Sequence, residues 1–307
     1  MAQGEKKRKI SRAMLSNDIF AYLILALPVL LWAFFWLINN VYTFQIAFSD
    51  ISLKGDVTWK PLNELFKNFG DFLALAFDKE STLGIGFWNS IKMYVLCFVV
   101  SNPLYLLFSY VIAKKCVASE FWRFAMMLPS MVSAFVMTLM AKMFINGPIS
   151  QLLGLSSPFF NGDYSFTIIL IYSIWISFPG MLLIYSNNMR AMDEEILGAA
   201  KVDGVNNMWV EFWYIYFPRV WNTFTMYTVT NVGALLLGSG PLVAFYMYSA
   251  PAYVYTSGYW FTVQTYNAVN ETAVPMLAAG SIILSIINYL LMRFVKWLME
   301  SKGWSED

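Results

Sequence analysis

The 307-residue chain has no histidine, only 2 cysteines and few charges, with 13% of its residues Asp, Glu, Lys or Arg. Without imidazole, both the commonest metal ligand and the usual general base near neutral pH are missing. A formal net charge of +1 leaves no basic footprint for a nucleic acid. Cys97 and Cys116 fall inside an apolar run and at its charged end, a poor setting for a disulfide, and both read as packing residues. No G-x-x-x-x-G-K-[ST] run occurs, so the chain does not hydrolyse ATP by that route. Low-complexity stretches and internal repeats are absent too.

What the chain has in abundance is apolar surface. Hydrophobic residues make up 59% of the positions, and no water-soluble core hides that much. A spanning helix needs about 20 predominantly apolar residues, because only a helix satisfies its own backbone inside hydrocarbon. The runs 19–38, 93–113, 124–144, 166–185 and 273–292 meet or approach that length, and a further one starts near Val220. Lys142 sits near one end of the third, where a long side chain reaches the interface. The expected fold class is all-α integral membrane, with six transmembrane helices.

Basic residues orient the spans. Lys6, Lys7, Arg8, Lys9 and Arg12 precede the first; Lys114, Lys115 and Arg123 separate the second from the third. Arg190, Lys201 and Arg219 separate the fourth from the fifth, and Arg293, Lys296 and Lys302 follow the last. With six spans all four groups share one side, which the positive-inside rule makes the cytoplasm, and both termini lie there. A seventh span inside 242–262 would break that pattern and is rejected. The first span is too long for a cleaved leader, holds Trp32 and Trp36, and is followed by no small-residue cleavage site, so it reads as retained.

The resulting division is a cytoplasmic tail 1–18, a transmembrane domain 19–298 and a second tail 299–307. An outer loop 47–87 carries Trp59, Phe66, Phe69, Phe72 and Phe77, which favour a small folded cap. Gly238, Ser239, Gly240 and Pro241 interrupt the apolar stretch 220–248, which as one helix would be roughly 43 Å long against a hydrocarbon core of about 30 Å. Either the helix ends there at the outer surface, or it breaks inside the membrane where freed backbone lines a cavity or packs on protein.

The inner connection 187–219 is the most informative segment. Asp193 is placed to cap a helix whose first turn holds Glu194 and Glu195, and Ile196, Leu197 and Ala200 give it an apolar face. Gly204 is placed to end it in a left-handed conformation, with Asn206 or Asn207 capping a second helix that runs to Phe217. Gly198, Ala199 and Ala200 let another backbone approach closely, as a docking helix needs. An ordinary amphipathic connector lying on the membrane surface is the competing reading.

The run Gly198-Ala-Ala-Lys-Val-Asp-Gly204, followed by Phe217-Pro218, resembles the E-A-A…D-G…P loop of permease subunits in binding-protein-dependent ABC importers. Tyr22-Leu-Ile-Leu-Ala-Leu-Pro28, Ala47-Phe-Ser-Asp50, Leu128-Pro129, Trp175 with Gly180, and the stretch from Tyr248 to Tyr266 are similar to the carbohydrate-uptake branch of that family, the maltose and polysaccharide type. Two departures stand out. The family's leading Glu is Gly198 here, so its ion pair is absent or supplied by Glu194 or Glu195, and its second Pro is Asn222.

The resemblance implies a non-catalytic transport subunit with a cytoplasmic coupling helix between spans four and five, moving a sugar or oligosaccharide by alternating access. Glu194, Glu195, Gly198, Ala199, Ala200, Asp203 and Gly204 would seat in the ATPase. It also implies a second permease as partner, two cytoplasmic ABC ATPases that bind the ATP and Mg, an external solute-binding protein, and a place in a bacterial cell membrane. This chain itself would hold no cofactor or metal. A sugar path asks for aromatic faces and neutral hydrogen-bonding groups, for which Trp175, Tyr227, Asn231 and Ser239 are the candidates, each weighed against plain helix packing. Asn102 and Asn288 read as packing residues. An importer of a non-sugar solute is the alternative; an ion-coupled carrier would keep more charge inside its spans.

Overall fold

A computed structural model describes residues 12–52, 56–116, 118–154, 162–267 and 273–302. The Lys6 to Lys9 cluster and 303–307 lie outside the described residues. The architecture is helical. Helix α1, Arg12–Ala47, runs unbroken through Pro28. A short hairpin follows, in which β1 (Ser49–Ile51) pairs antiparallel with β2 (Val57–Trp59), Ser49 opposite Trp59. Helix α2, Lys67–Phe77, folds back onto it. Asn68 explains the attachment: its Nδ2 donates to the carbonyls of Ala47 and Ser49 at 2.9 and 3.1 Å. Phe48, Phe66 and Phe69 cluster beside it, so the described part of the connection 47–87 is folded.

Helix α3, Thr82–Ala113, starts well before position 93. Ser81 caps it, its Oγ accepting from the Gly84 N–H at 2.9 Å, so 82–87 belong to the helix and not to the loop. The third expected span departs further. Helices α4 (Ser119–Met131) and α5 (Ala134–Phe144) meet at 96°. Pro129 withholds a backbone donor in the last turn of α4, and Ser130 Oγ bonds the Met127 carbonyl at 2.7 Å, so the backbone turns extended at Val132. After α5 come a π turn, Ile145–Ile149, and α6, Ser150–Leu153.

Helix α7, Gly162–Arg190, leads to α8, Glu194–Val202. Helix α9, Met208–Glu211, passes through a π turn, Phe212–Tyr216, directly into α10, Phe217–Gly233, forming one helical rod. The rod stops short of Gly238. Helix α11 (Leu242–Tyr246), a 3-10 turn (Ala252–Val254) and α12 (Ser257–Asn267) follow, and α13, Val274–Lys302, closes the fold. The apolar stretch 220–248 therefore breaks. Its freed backbone packs on protein, where Ser257 Oγ donates to the Leu236 carbonyl, and in the segment beyond it Asn89 of α3 donates to the carbonyls of Tyr253 and Tyr255 at 2.8 and 3.0 Å.

Among the described residues four helices are long and apolar enough to cross a membrane, Tyr22–Ala47, Thr82–Ala113, Tyr164–Arg190 and Val274–Ser301, and five if the bent α4–α5 pair counts as one span. A sixth span is not confirmed, because α10 by itself is 17 residues long and rich in Asn and Thr. Among the described residues three buried clusters hold the bundle. One joins Tyr105 and Tyr110 of α3 to Tyr185, Phe212, Tyr216 and Phe217. A second gathers Tyr172, Phe245 and Tyr259, and a third gathers Phe72, Trp260 and Leu284. In lipid such contacts stabilise through close packing and not through water release.

Candidate functional site

Two features have the chemistry of a site. The first is an elbow at one end of the bundle. Helix α8 stands almost wholly exposed, with Glu194, Glu195, Gly198, Ala199, Asp203 and Gly204 all open and only Leu197 and Ala200 turned inward. Leu197 and Met192 pack against the Tyr105–Tyr110 cluster, whereas Ile196 is 52% exposed, so the expected apolar face is narrower than the sequence implied. Asp193 occupies the N-cap position in extended conformation, but its carboxylate makes no capping bond. The negative first turn of Glu194 and Glu195 still suits the helix dipole.

The turn follows the sequence closely. Gly204 adopts φ +87° with nothing within 4 Å of where a Cβ would sit. Val205 N–H bonds the Ala200 carbonyl at 3.0 Å and Gly204 N–H the Lys201 carbonyl at 3.2 Å, which closes the end of α8. Asn207 then caps α9 by accepting from the Trp209 N–H at 2.9 Å. Charges brace the elbow. Lys114 pairs with Glu211 at 2.5 Å, and Arg190 pairs with Glu120. Burial works against the Lys114 ammonium, but its hydrogen bond to Glu211 and the neighbouring Tyr110 and Glu211 charges outweigh that, and its pKa rises above the usual lysine value.

The second feature is a cavity of about 170 Å³ between α3, α7 and α10. Helix α3 supplies Tyr94, Cys97, Phe98, Ser101, Asn102 and Tyr105; α7 supplies Ser173 and Ser177; α10 supplies Tyr227 and Asn231. None is charged. Tyr105 and Ser177 hydroxyls bond each other across it, and the Tyr105 and Tyr227 rings lie 6.4 Å apart. Ser101 Oγ and Asn102 Oδ1 are buried without a hydrogen-bond partner, as is the hydroxyl of nearby Tyr185. An orphaned buried polar atom costs about 1–3 kcal/mol. Water or a hydroxyl-bearing molecule entering the cavity would relieve that cost.

The structure brings Tyr227 and Asn231 together here and leaves Trp175 and Ser239 out. Trp175 is 45% exposed and packs on Tyr172. Ser239 precedes Gly240 and Pro241, which line a separate, mostly apolar cavity of about 400 Å³ that meets the first at Ser173. Asn102 is a cavity residue whose Nδ2 bonds its own helix at Phe98, and Asn288 finds no partner for either amide atom. Neither bonds a neighbouring helix. The α3 residues were missed, although their spacing at 94, 97, 98, 101, 102 and 105 is one face of a helix. Among the described residues no group of His, Cys, Asp or Glu is placed to hold a metal.

Comparison with known proteins fits this geometry. A chain of a bacterial ABC transporter involved in import of the acidic polysaccharide alginate superposes with a TM-score of 0.70, covering 94% of this chain and 99% of that one at 16% identity. The chain shares the fold of that transporter chain. A bacterial alginate ABC transporter in complex with an alginate pentasaccharide-bound periplasmic protein gives a TM-score of 0.72 at 16% identity, covering 94% of this chain and 97% of that one. In sequence the chain is 28% identical over 138 residues to the maltose/maltodextrin transport system permease protein MalF of Vibrio parahaemolyticus. That match covers 42% of this chain and 26% of MalF. No family model matches. The resemblance to carbohydrate-uptake ABC permeases holds in both sequence and backbone.

Proposed function

We propose that the chain is a transmembrane permease subunit of an ATP-driven ABC importer, carrying a sugar or oligosaccharide from an external solute-binding protein into a bacterial cytoplasm. The observation that carries the reading is the exposed α8 elbow, held off the bundle between two helices that enter it. Helix α8 carries Glu194, Glu195 and Lys201, all exposed, a charged surface that suits a groove on a protein partner. In this reading the elbow end is cytoplasmic, with both termini on the same side. The rod 208–233 is the fifth span and the α4–α5 pair the third, which makes six.

Two ATPase subunits, binding the ATP and Mg, seat α8 and displace it when they close. The 170 Å³ cavity is below the roughly 300 Å³ of a small-molecule site. A second permease therefore supplies the facing wall, and alternating access opens the gap between the two. Uncharged tyrosines, serines and asparagines suit hydroxyl-rich cargo that binds and releases. The experiment is purification of the tagged chain from its own membranes. An ATPase, a second permease and ATP-dependent uptake of labelled maltodextrins in reconstituted vesicles are expected. Recovery of the chain without any ATPase would overturn the importer reading; uptake of a non-sugar solute instead would favour the alternative cargo.

A further inference from the structure

Both feet of the elbow are fastened to the same short end of α3. On the side where α7 enters, the Arg190 guanidinium donates to the Ile112 carbonyl at 3.0 Å and to Glu120, at the start of α4. On the side where the rod leaves, Glu211 pairs with Lys114, and the Tyr110 hydroxyl donates to the Met208 carbonyl at 3.2 Å and to Glu211 at 3.4 Å. The α3 anchors thus fall within 110–114. Glu211 and Lys114 side chains are only 13% and 29% exposed, so this pair is less screened than a surface ion pair. Glu120, at 71%, makes the Arg190 contact the weaker bolt.

The same helix supplies six of the ten residues lining the cavity. From Lys114 to Tyr94 is about 30 Å along a helix axis. We infer that α3 is the rod that carries displacement of the α8 elbow into the cavity, with Glu211 and Arg190 as its positioning residues. This rests on the coupling role proposed above. α7 and α10 are each joined to the elbow covalently at one foot, and Asn188 of α7 donates to the Thr223 hydroxyl of α10 at 2.7 Å, so the two feet are tied to each other. α3 is bonded to both feet near one of its ends, so a rigid movement of the elbow moves it without distorting the Gly204 turn. The polar stripe from Tyr105 to Tyr94 shifts relative to Tyr227 and Asn231.

The test uses Cys97, which lies on α3 and lines the cavity. In the assembled complex with Cys116→Ser, the rate of Cys97 labelling by a fluorescent maleimide is followed on this chain, nucleotide-free and with ATP trapped by a non-hydrolysing ATPase variant. The expected change on trapping is at least about fivefold, the low end of ordinary inter-site coupling. Glu211→Gln or Lys114→Met should reduce it to less than about twofold with the ATPases still bound. The swap Lys114→Glu with Glu211→Lys should restore it, and Arg190→Lys should keep most of it. A merely structural pair would lower yield and leave the nucleotide response intact. A full response in Glu211→Gln, or none in the parent, overturns the inference while ATPase copurification still supports the importer; absence of the ATPase from the parent overturns both.

Discussion

The α-carbon of Gly258 lies directly against the backbone of Gly238, so close that one added methyl would overlap it and the Leu237 carbonyl oxygen. This contact lets α12 fold back under the end of α10, and it lets Ser257 reach the Leu236 carbonyl with one side and the Ser90 hydroxyl of α3 with the other. Gly258→Ala should push α12 away and free those groups. The expected loss is about 1–3 kcal/mol for the overpacking, seen as a lower melting temperature in detergent and weaker resistance to protease between 234 and 267. Gly70→Ala, where a Cβ meets nothing, should leave both unchanged. Equal stability of the two variants would mean that the 234–238 turn does not pack as described.

At the elbow the strain is conformational and not steric. Gly204 holds φ +87° in open space, so Gly204→Asn should fold at a small cost, since Asn visits the left-handed region, and Gly204→Val at roughly 1–2 kcal/mol. Neither should disturb membrane insertion, because nothing packs there. If the elbow seats in an ATPase, Gly204→Asp should lose that partner on purification, as a charge placed on an exposed docking turn. Undiminished copurification and uptake of Gly204→Asp would remove the turn from the docking surface.

The elbow was legible because its signals are local. Asn207 and Gly204 do in the structure what their types do in any helix-turn-helix. The 96° bend between α4 and α5 was not, because hydropathy counts apolar residues without recording that Val132 turns extended between them. Nor was the end of α10: Gly238 and Pro241 look like the break, yet the helix already stops at Gly233, and the turn through 234–238 is received by Ser257 and Gly258, far away in sequence. The cavity was half legible. Tyr227 and Asn231 share a helix face, but only the fold reveals that the 94–105 stripe of α3 faces them.

Within the cavity, Asn231 anchors its amide by donating to the Tyr227 carbonyl at 2.9 Å. Asn231→Ala and Tyr105→Phe should each change uptake about tenfold or more, the effect of one or two hydrogen bonds to cargo, with assembly unaltered. Trp175→Ala should not, since that ring sits outside the cavity against Tyr172. Initial uptake rates of labelled sugars measured for all three settle the matter: a large effect at Trp175 with none at Asn231 would place the path elsewhere.

Lys142 gives the last prediction. Its ammonium donates to the Phe245 carbonyl and lies 5.9 Å over the Tyr246 ring, tying α5 to the end of α11. That end needs a tie: Met247 follows with φ +56°, an unfavourable backbone for a side chain of its kind, and the Tyr259 hydroxyl holds the Met247 carbonyl at 3.0 Å from the other side. Lys142→Met keeps the length of the stem but removes the charge-assisted bond, at about 1.5–3 kcal/mol. The expected result is a lower melting temperature with faster hydrogen exchange confined to 242–250. Lys142→Arg, which still reaches the carbonyl, should recover most of both. If Lys142→Met exchanges no faster there, the strained turn is held by Tyr259 alone, and the ammonium serves only to reach the interface as its position in the sequence first indicated.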